Sequence, residues 1–260
     1  MTNREIYNIA LNQSAVELHC APADLLSGKN KIVYSRRDDR ARAYLTLPFD
    51  CNLVTYGHGI VASTRPQYAD AVEEYIGRYR PEQCFETPQL LVLNEALRPH
   101  GLCVCFMAEY FLPDVDALRP LDCPYEIRAL QPDDFAALYT EKWSNALCEK
   151  RKQLDVLGVG AYDGDCLVGL AGCSADCDTM WQIGIDVLPE YRRQGIASAL
   201  TSRLALEILK RGKVPFYCAA WSNIRSVRNA IKSGFRPAWV EMTAKPVVFV
   251  DQLNNPLGPI

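Results

Sequence analysis

The segment from Trp181 to Ala197 constrains this chain more than any other. Trp181, Ile183, Ile185 and Val187 alternate with Gln182, Gly184 and Asp186, the period of two that marks a strand with one apolar face. A turn carrying Pro189 follows, then Arg192, Arg193, Gln194 and Gly195. From Gly195 to Arg211 the sequence predicts a helix, stopped by Gly212. The first turn of a helix leaves backbone N–H groups without intrahelical acceptors, and together with the helix dipole they favour an anion such as a pyrophosphate. Gly195 lets a ligand approach the backbone, Ala197 crowds it little, and Arg192 and Arg193 add positive charge.

The rest of the composition narrows the function classes. The chain has 260 residues, a formal charge of -3, 49% hydrophobic and 23% charged side chains, the balance of a globular protein with room for one large or two ordinary domains. No apolar run of about 20 residues occurs, so no membrane partner is expected. The polar opening Met1-Thr2-Asn3-Arg4-Glu5-Ile6 has no apolar run behind it, and a cytoplasmic location is expected. Mild acidity argues against a nucleic-acid partner. Of the 11 cysteines none forms a Cys-x-x-Cys pair, and His19, His58 and His100 are scattered. No metal is expected, and the thiols are expected to be reduced core residues.

Periodicity predicts an opening helix over 4–19, strands at 31–34, 43–47, 52–56 and 59–63, helices over 65–79 and 88–97, and a strand over 102–112. The stretch Pro113 to Pro124 carries Pro120, Asp114, Asp116 and Asp122 and reads as a connection. It divides the chain into 1–123, a smaller accessory α/β domain, and 124–260. The second part reads as strand 125–130, helices from 131 to about 139 and near 142–152, and strands 156–162 and 166–174 joined by a turn at Asp163-Gly164. After the strand and helix already described come strand 214–220, helix 226–232, and strands near 237–243 and 247–251, a mixed α/β layer fold. Gly57-His58-Gly59-Ile60-Val61-Ala62 fits a dinucleotide fingerprint in letters only. Strand-like residues follow it where a helix is required, so it reads as a bent hairpin.

Arg192-x-x-Gly195-x-Ala197 resembles the Arg/Gln-x-x-Gly-x-Gly/Ala signature of the GNAT N-acetyltransferase superfamily. Its context is similar too: a preceding strand ending in Val187, Pro189-Glu190-Tyr191, a long helix, a further strand, Asn223-x-x-Ser226 and Gly234-Phe235. The resemblance covers roughly 124–250 and is to two-part bacterial members of unassigned substrate. It implies a GNAT-like mixed central sheet with splayed strands flanked by helices.

The resemblance further implies acetyl-CoA as acyl donor, with no metal, lying between strands 181–187 and 214–220. The backbone of Ile185 and Val187 would pair with the pantetheine arm, and the Val187 amide would polarise the acetyl carbonyl. The amides from Arg193 through Gln194, Gly195 and Ile196 to Ala197 would hold the pyrophosphate beside Arg192. Asn223 and Ser226 would meet the cofactor arm, with Arg225, Arg228 and Lys232 near an outer phosphate. Two family features are missing. A tyrosine that protonates the leaving thiolate is Ala230 here, which leaves water, Ser226 or another residue as proton source. A glutamate serving as base is Trp181 here, which makes Asp186 the nearest carboxylate and Glu241 the second choice. Cys218 is the one cysteine that could bear on a covalent route. The implied function is direct acetyl transfer to a primary amine of a small-molecule or peptide acceptor that the sequence does not identify, shaped by the region of Tyr139–Lys152. The alternatives are a non-catalytic acyl-CoA-binding sensor or scaffold and transfer of a different acyl or aminoacyl group. By analogy with the family the chain could form a homodimer.

Overall fold

The computed structural model describes residues 1–255. In chain order it forms α1 (Asn3–Leu18), β1 (Lys31–Tyr34), β2 (Cys51–Thr55), β3 (Ile60–Thr64), α2 (Ala69–Arg78), α3 (Thr87–Leu97), β4 (Leu102–Pro113), β5 (Glu126–Leu130), β6 (Asp155–Asp163), β7 (Cys166–Ser174), β8 (Met180–Val187), α4 (Ile196–Lys210), β9 (Val214–Ala219), α5 (Ile224–Lys232), β10 (Phe235–Pro246) and α6 (Val247–Asn254). By contacts the chain divides into two units. One comprises Met1–Ala10 and Tyr110–Ala238; the other comprises Leu11–Glu109 and the chain from Trp239 onward. Each carries helices and strands, so the class is mixed α/β. The 1–123 and 124–260 division is a cut along the sequence, whereas the contact units interleave; residues 256–260 of that range lie outside the described residues.

In the first unit the strand order is β9-β8-β7-β6-β5. The β5–β6, β6–β7 and β7–β8 pairs are antiparallel and β8–β9 is parallel. The β6–β7 hairpin turns at Gly164, φ 60°, a left-handed conformation that glycine adopts without a Cβ clash. One face of the sheet is covered by α4. Its stripe of Ile196, Leu200, Leu204, Ala205 and Ile208 is buried with Leu157, Val159, Val168 and Ile183. Each large side chain so buried contributes about 1.5–3 kcal/mol.

The other face carries a row of glycines. Gly158, Gly172 and Gly184 are direct register partners across β6, β7 and β8. A Cβ on Gly158 would press on the Phe135 ring, and one on Gly172 or Gly184 would overlap the Ala146 or Asn145 carbonyl. The backbone of 145–146 therefore lies directly on the sheet. This contact explains a departure from the sequence reading. The expected helix near 142–152 is absent, and short 3-10 turns at Glu141–Trp143 and Glu149–Leu154 stand in its place. The amides of Asn145 and Ala146 donate to Asp186, and that of Cys148 to Asp155, instead of to carbonyls one turn back. Similarly the helix expected over 131–139 is only the turn Pro132–Phe135. There Asp134 accepts from the Gln131 amide, and Phe135 is seated against Gly158.

The second unit orders its strands β1-β3-β2-β10. Val72, Tyr75 and Ile76 of α2 and Leu93 and Leu97 of α3 are buried with Leu53, Ile60, Ala62 and Met242. Gly57, φ 82°, lies in the turn of the β2–β3 hairpin, where Thr55 pairs with Ile60. The strand expected at 43–47 is a loop. Arg42 anchors it, donating through Nε and Nη2 to Glu17 and through Nη2 to Glu241 at 2.6–2.7 Å, with all three side chains at most 6% exposed. Two strands expected near 237–243 and 247–251 are instead one longer strand, β10, and the helix α6. Pro246 has no N–H to extend a ladder, and the Val247 amide turns to the Gly101 carbonyl at 2.8 Å.

Two stability outcomes follow from these contacts. Gly184→Ala forces a methyl group into the Asn145 carbonyl, which overpacking of this kind makes about 1–3 kcal/mol destabilising. Urea unfolding checks it, and an unchanged midpoint contradicts the packing described. Arg42→Met leaves two carboxylates buried without their cation and is expected to cost about 3–5 kcal/mol, read in the same assay.

Candidate functional site

A cleft of about 890 Å³ opens beside the C-terminal part of β8, lined also by the start of α4, by Tyr217 of β9 and by one face of α5. Among the sequence-predicted residues, Ile185, Asp186, Val187, Arg192, Arg193, Gly195, Ile196, Ala197 and Ser226 line it. Gln194 and Asn223 do not belong to this lining. The Gln194 amide oxygen accepts from Tyr125 Oη at 2.9 Å. Asn223 caps α5, its side chain accepting from the Ser226 amide at 3.2 Å.

The cleft exists because β8 and β9 part. Their register covers only Met180, Trp181 and Gln182 against Val214, Pro215 and Phe216, although β8 continues to Val187. The Leu188 amide bonds to the Val168 carbonyl at 3.0 Å. Strand alternation then turns the backbone groups of Gly184 and Asp186 toward β7, and those of Ile185 and Val187 away from it. The Val187 carbonyl is taken up by Arg192 Nε at 3.0 Å, which ties the arginine to the strand end. The Ile185 and Val187 amides have no strand beside them.

The start of α4 supplies a second set of donors. Gly195 precedes the helix with φ 86°, and Arg193 also has positive φ, 67°. The Ala199 amide is the first to bond back, to the Gly195 carbonyl at 3.1 Å, so Ile196, Ala197 and Ser198 have amides with no intrahelical acceptor. A Cβ on Gly195 would find only Lys232 Nζ, at 4.0 Å. Arg192, Arg193, Arg225, Arg228 and Lys232 all line this cleft, against the single carboxylate of Asp186. Among the described residues none of these cations forms an ion pair. Converging unpaired cations and helix-start amides make a site for a polyanion.

The Asp186 carboxylate has three donors: the Asn145 amide at 2.9 Å, Asn145 Nδ2 at 2.7 Å and the Ala146 amide at 3.0 Å. It fastens the 145–146 backbone over the glycine row and still borders the cleft. Glu241 does not line the cleft; it is tied to Arg42 and to Trp239 Nε1 at 2.7 Å in the second unit. Ala230 is fully buried. Cys218 Sγ accepts from Gln182 Nε2 at 3.2 Å, a link between β8 and β9 at the root of the splay. Among the described residues no group of three His, Cys, Asp or Glu side chains could hold a metal ion, and no helix is long and apolar enough to cross a membrane.

Sequence reading missed Tyr217 and Asn229, both in the cleft wall. Tyr217 is 4% exposed, and burial pushes its phenol above the ordinary range, with the polar side chains of Ser226 and Asn229 opposing the rise. The available signal was a lone hydroxyl-bearing ring in the otherwise apolar run of β9, on the strand face opposite Cys218.

Residues 110–238 match the family model of the GNAT acetyltransferases. Solved structures with a similar fold include a GNAT-family acetyltransferase from Novosphingobium aromaticivorans, 22% identical with TM-score 0.40 over 55% of this chain and 66% of that one. This chain thus spans just under two thirds of that relative. Another is yncA from Salmonella typhimurium with its cofactor acetyl-CoA, 18% identical with TM-score 0.37 over 48% of this chain and 95% of that one. A GCN5-related N-acetyltransferase from Sphaerobacter thermophilus is 13% identical, with TM-score 0.47 over 92% of both chains. No curated protein matches the chain.

The geometry around Asp186 makes its own prediction. Asp186→Ala removes the acceptor of two backbone amides and is expected to lower stability by about 1–2 kcal/mol for these part-exposed, charge-assisted bonds. Hydrogen exchange localises the effect: the Asn145 and Ala146 amides speed up, while that of Cys148, held by Asp155 at 2.9 Å, keeps its rate. Unchanged exchange at 145 and 146 contradicts the anchoring role.

Proposed function

We propose, from the match of residues 110–238 to the GNAT acetyltransferase family model, that the chain transfers an acetyl group from acetyl-CoA directly to a primary amine. The observation that carries the reading is the cleft itself. Unaccepted amides at the start of α4, an open Gly195 and unpaired cations fit a diphosphate and a further phosphate, and the unpaired edge of β8 fits an extended amide-bearing arm. Bound acetyl-CoA supplies an acetyl group already activated as a thioester.

This chain's residues then divide the work. The amides of Arg193 to Ser198 and the side chains of Arg192 and Arg193 neutralise the diphosphate, and Arg225, Arg228 and Lys232 on α5 take an outer phosphate. The Ile185 and Val187 backbone groups hold the arm in register, which fixes the reacting carbon at one height along β8. The Val187 amide donates to the carbonyl oxygen as negative charge gathers there, and a donor already in place needs no reorganisation. Asp186 sits beside that point with one carboxylate oxygen accepting a single hydrogen bond. It orients the incoming ammonium and removes its proton through a water molecule. Ser226, at the first turn of α5, contributes a hydroxyl to the same wall.

The acceptor side is formed by the segment that Asp186 fastens, Tyr139–Lys152, where Glu141 and Glu149 favour a cationic amine. A non-catalytic acyl-CoA sensor uses the same cradle without the amine, and the buried Ala230, where a proton-donating tyrosine would stand, is the observation in its favour.

Calorimetry with acetyl-CoA and a panel of amines assayed for released CoA separate the readings. Acetyl-CoA is expected to bind with an affinity that falls as salt rises. Gly195→Glu, which places a carboxylate among the phosphate donors, is expected to weaken binding at least ~10-fold, about 1.4 kcal/mol. Turnover with any amine supports transfer; binding without turnover across the panel supports the sensor, and no binding at all ends both.

A further inference from the structure

We infer that Tyr125, the residue just before β5, is a positioning residue for the diphosphate cradle: its hydroxyl holds the Gln194 side chain and so keeps the backbone of Arg193–Ser198 turned to the cleft. The role rests on the acetyl-CoA reading above, which uses neither Tyr125 nor the Gln194 side chain.

The loop before α4 needs such a hold. Arg193 at φ 67° and Gly195 at φ 86° bracket Gln194. Glycine enters the left-handed region freely, but a Cβ makes that region unfavourable for arginine. A residue of this kind persists only where its surroundings over-determine it. Left-handed positions within a turn are also what curls successive amides into a concavity for an anion. The conformation of Arg193 and the capacity of the cradle are therefore one property.

Both flanks of the loop are fixed. Upstream, the Tyr191 amide donates to the Leu188 carbonyl at 3.0 Å and the Arg192 amide to the Pro189 carbonyl at 3.3 Å, while Arg192 Nε is tied to the Val187 carbonyl. Downstream, the Gly195 carbonyl accepts from the Ala199 amide and from Ser198 Oγ, both at 3.1 Å. Between them the loop is almost without ties. Among the described residues Arg193 makes no hydrogen bond, and Gln194 makes one, accepting from Tyr125 Oη at 2.9 Å. That bond draws the Gln194 side chain out of the cleft, whose lining includes Arg193 and Gly195 on either side of it.

Tyr125 is a firm post for this bond. Its ring meets Tyr191 edge-on at 5.5 Å, and both rings pack against the core under α4. The next residue, Glu126, pairs with Tyr162 of β6, and Tyr191 Oη donates to Asp163 Oδ2 at 3.1 Å. Both sides of the strained arginine are thus referred to the same end of the β5–β6 ladder, one through Tyr191 and the other through Gln194.

The test measures CoA binding to the full chain by calorimetry for wild type, Tyr125→Phe, Gln194→Met and the double variant. Tyr125→Phe keeps the ring against Tyr191. Gln194 is exposed, so Gln194→Met keeps the packing and carries the test should Tyr125→Phe loosen the ring pair. Each single variant is expected to weaken CoA binding about 3- to 10-fold, the range of one hydrogen bond. The double variant is expected to bind no more weakly than the weaker single one, because both remove the same link. Phosphorus NMR of bound CoA gives a readout that a general loss of stability does not move: in the variants the diphosphate signals shift toward their free values, and that of the outer phosphate stays in place. Wild-type affinity and an unshifted diphosphate in Gln194→Met overturn the inference, and so do losses that add in the double variant; both leave the cofactor site standing. Failure of wild type to bind CoA overturns the acetyl-CoA reading instead, and the role of Tyr125 with it.

Discussion

The three-residue register between β8 and β9 is the constraint on which the rest of this site depends. Were the two parallel strands paired to the end of β8, the Ile185 and Val187 amides would be spent on the sheet and no cleft would form. Because pairing stops at Gln182, the sheet presents an unused edge beside the start of α4, where unaccepted amides already converge. An unsatisfied strand edge is ordinarily a liability. Here it lies along a cleft lined by Arg192, Arg193, Arg225, Arg228 and Lys232, so a polyanionic ligand with an amide-bearing arm answers both needs at once.

A second feature supports the first from the opposite face. Gly158, Gly172 and Gly184 stand side by side across three strands, and the chain around Asn145 and Ala146 rests on them. Asp186 closes the arrangement through three hydrogen bonds. The same carboxylate that borders the cleft thus fixes the segment next to it, so structural and chemical demands on Asp186 are not separable by a single alanine substitution. In the second unit a comparable economy appears at Arg42, whose guanidinium satisfies Glu17 and Glu241 and in doing so shapes a loop that propensity alone reads as a strand.

What the sequence revealed and what it concealed divide along physical lines. The strand into Val187, the turn at Pro189, Gly195 and the helix to Lys210 were legible because each is set by neighbours a few residues away: a period of two, a helix stop at Gly212, a glycine at positive φ. The missing helix at 142–152 was not, because the acceptors that replace its intrahelical bonds are Asp186 and Asp155, which no local pattern links to Asn145 or Cys148. The run Val247 to Val250 looks like a strand by composition, and only the Pro246 break and the Gly101 carbonyl turn it into a helix. Tyr217 was passed over for the same reason. Its place in the cleft depends on packing against Phe111 and on Ser226 one element later, contacts that exist only in the folded chain.

Hydrogen–deuterium exchange of the full chain with and without CoA tests the central claim most directly. The account predicts that ligand slows exchange in two short stretches, Ile185–Val187 and Arg193–Ser198, while the ladder of β6 with β7 is unaffected. Protection confined to other segments, or none at saturating CoA, contradicts it.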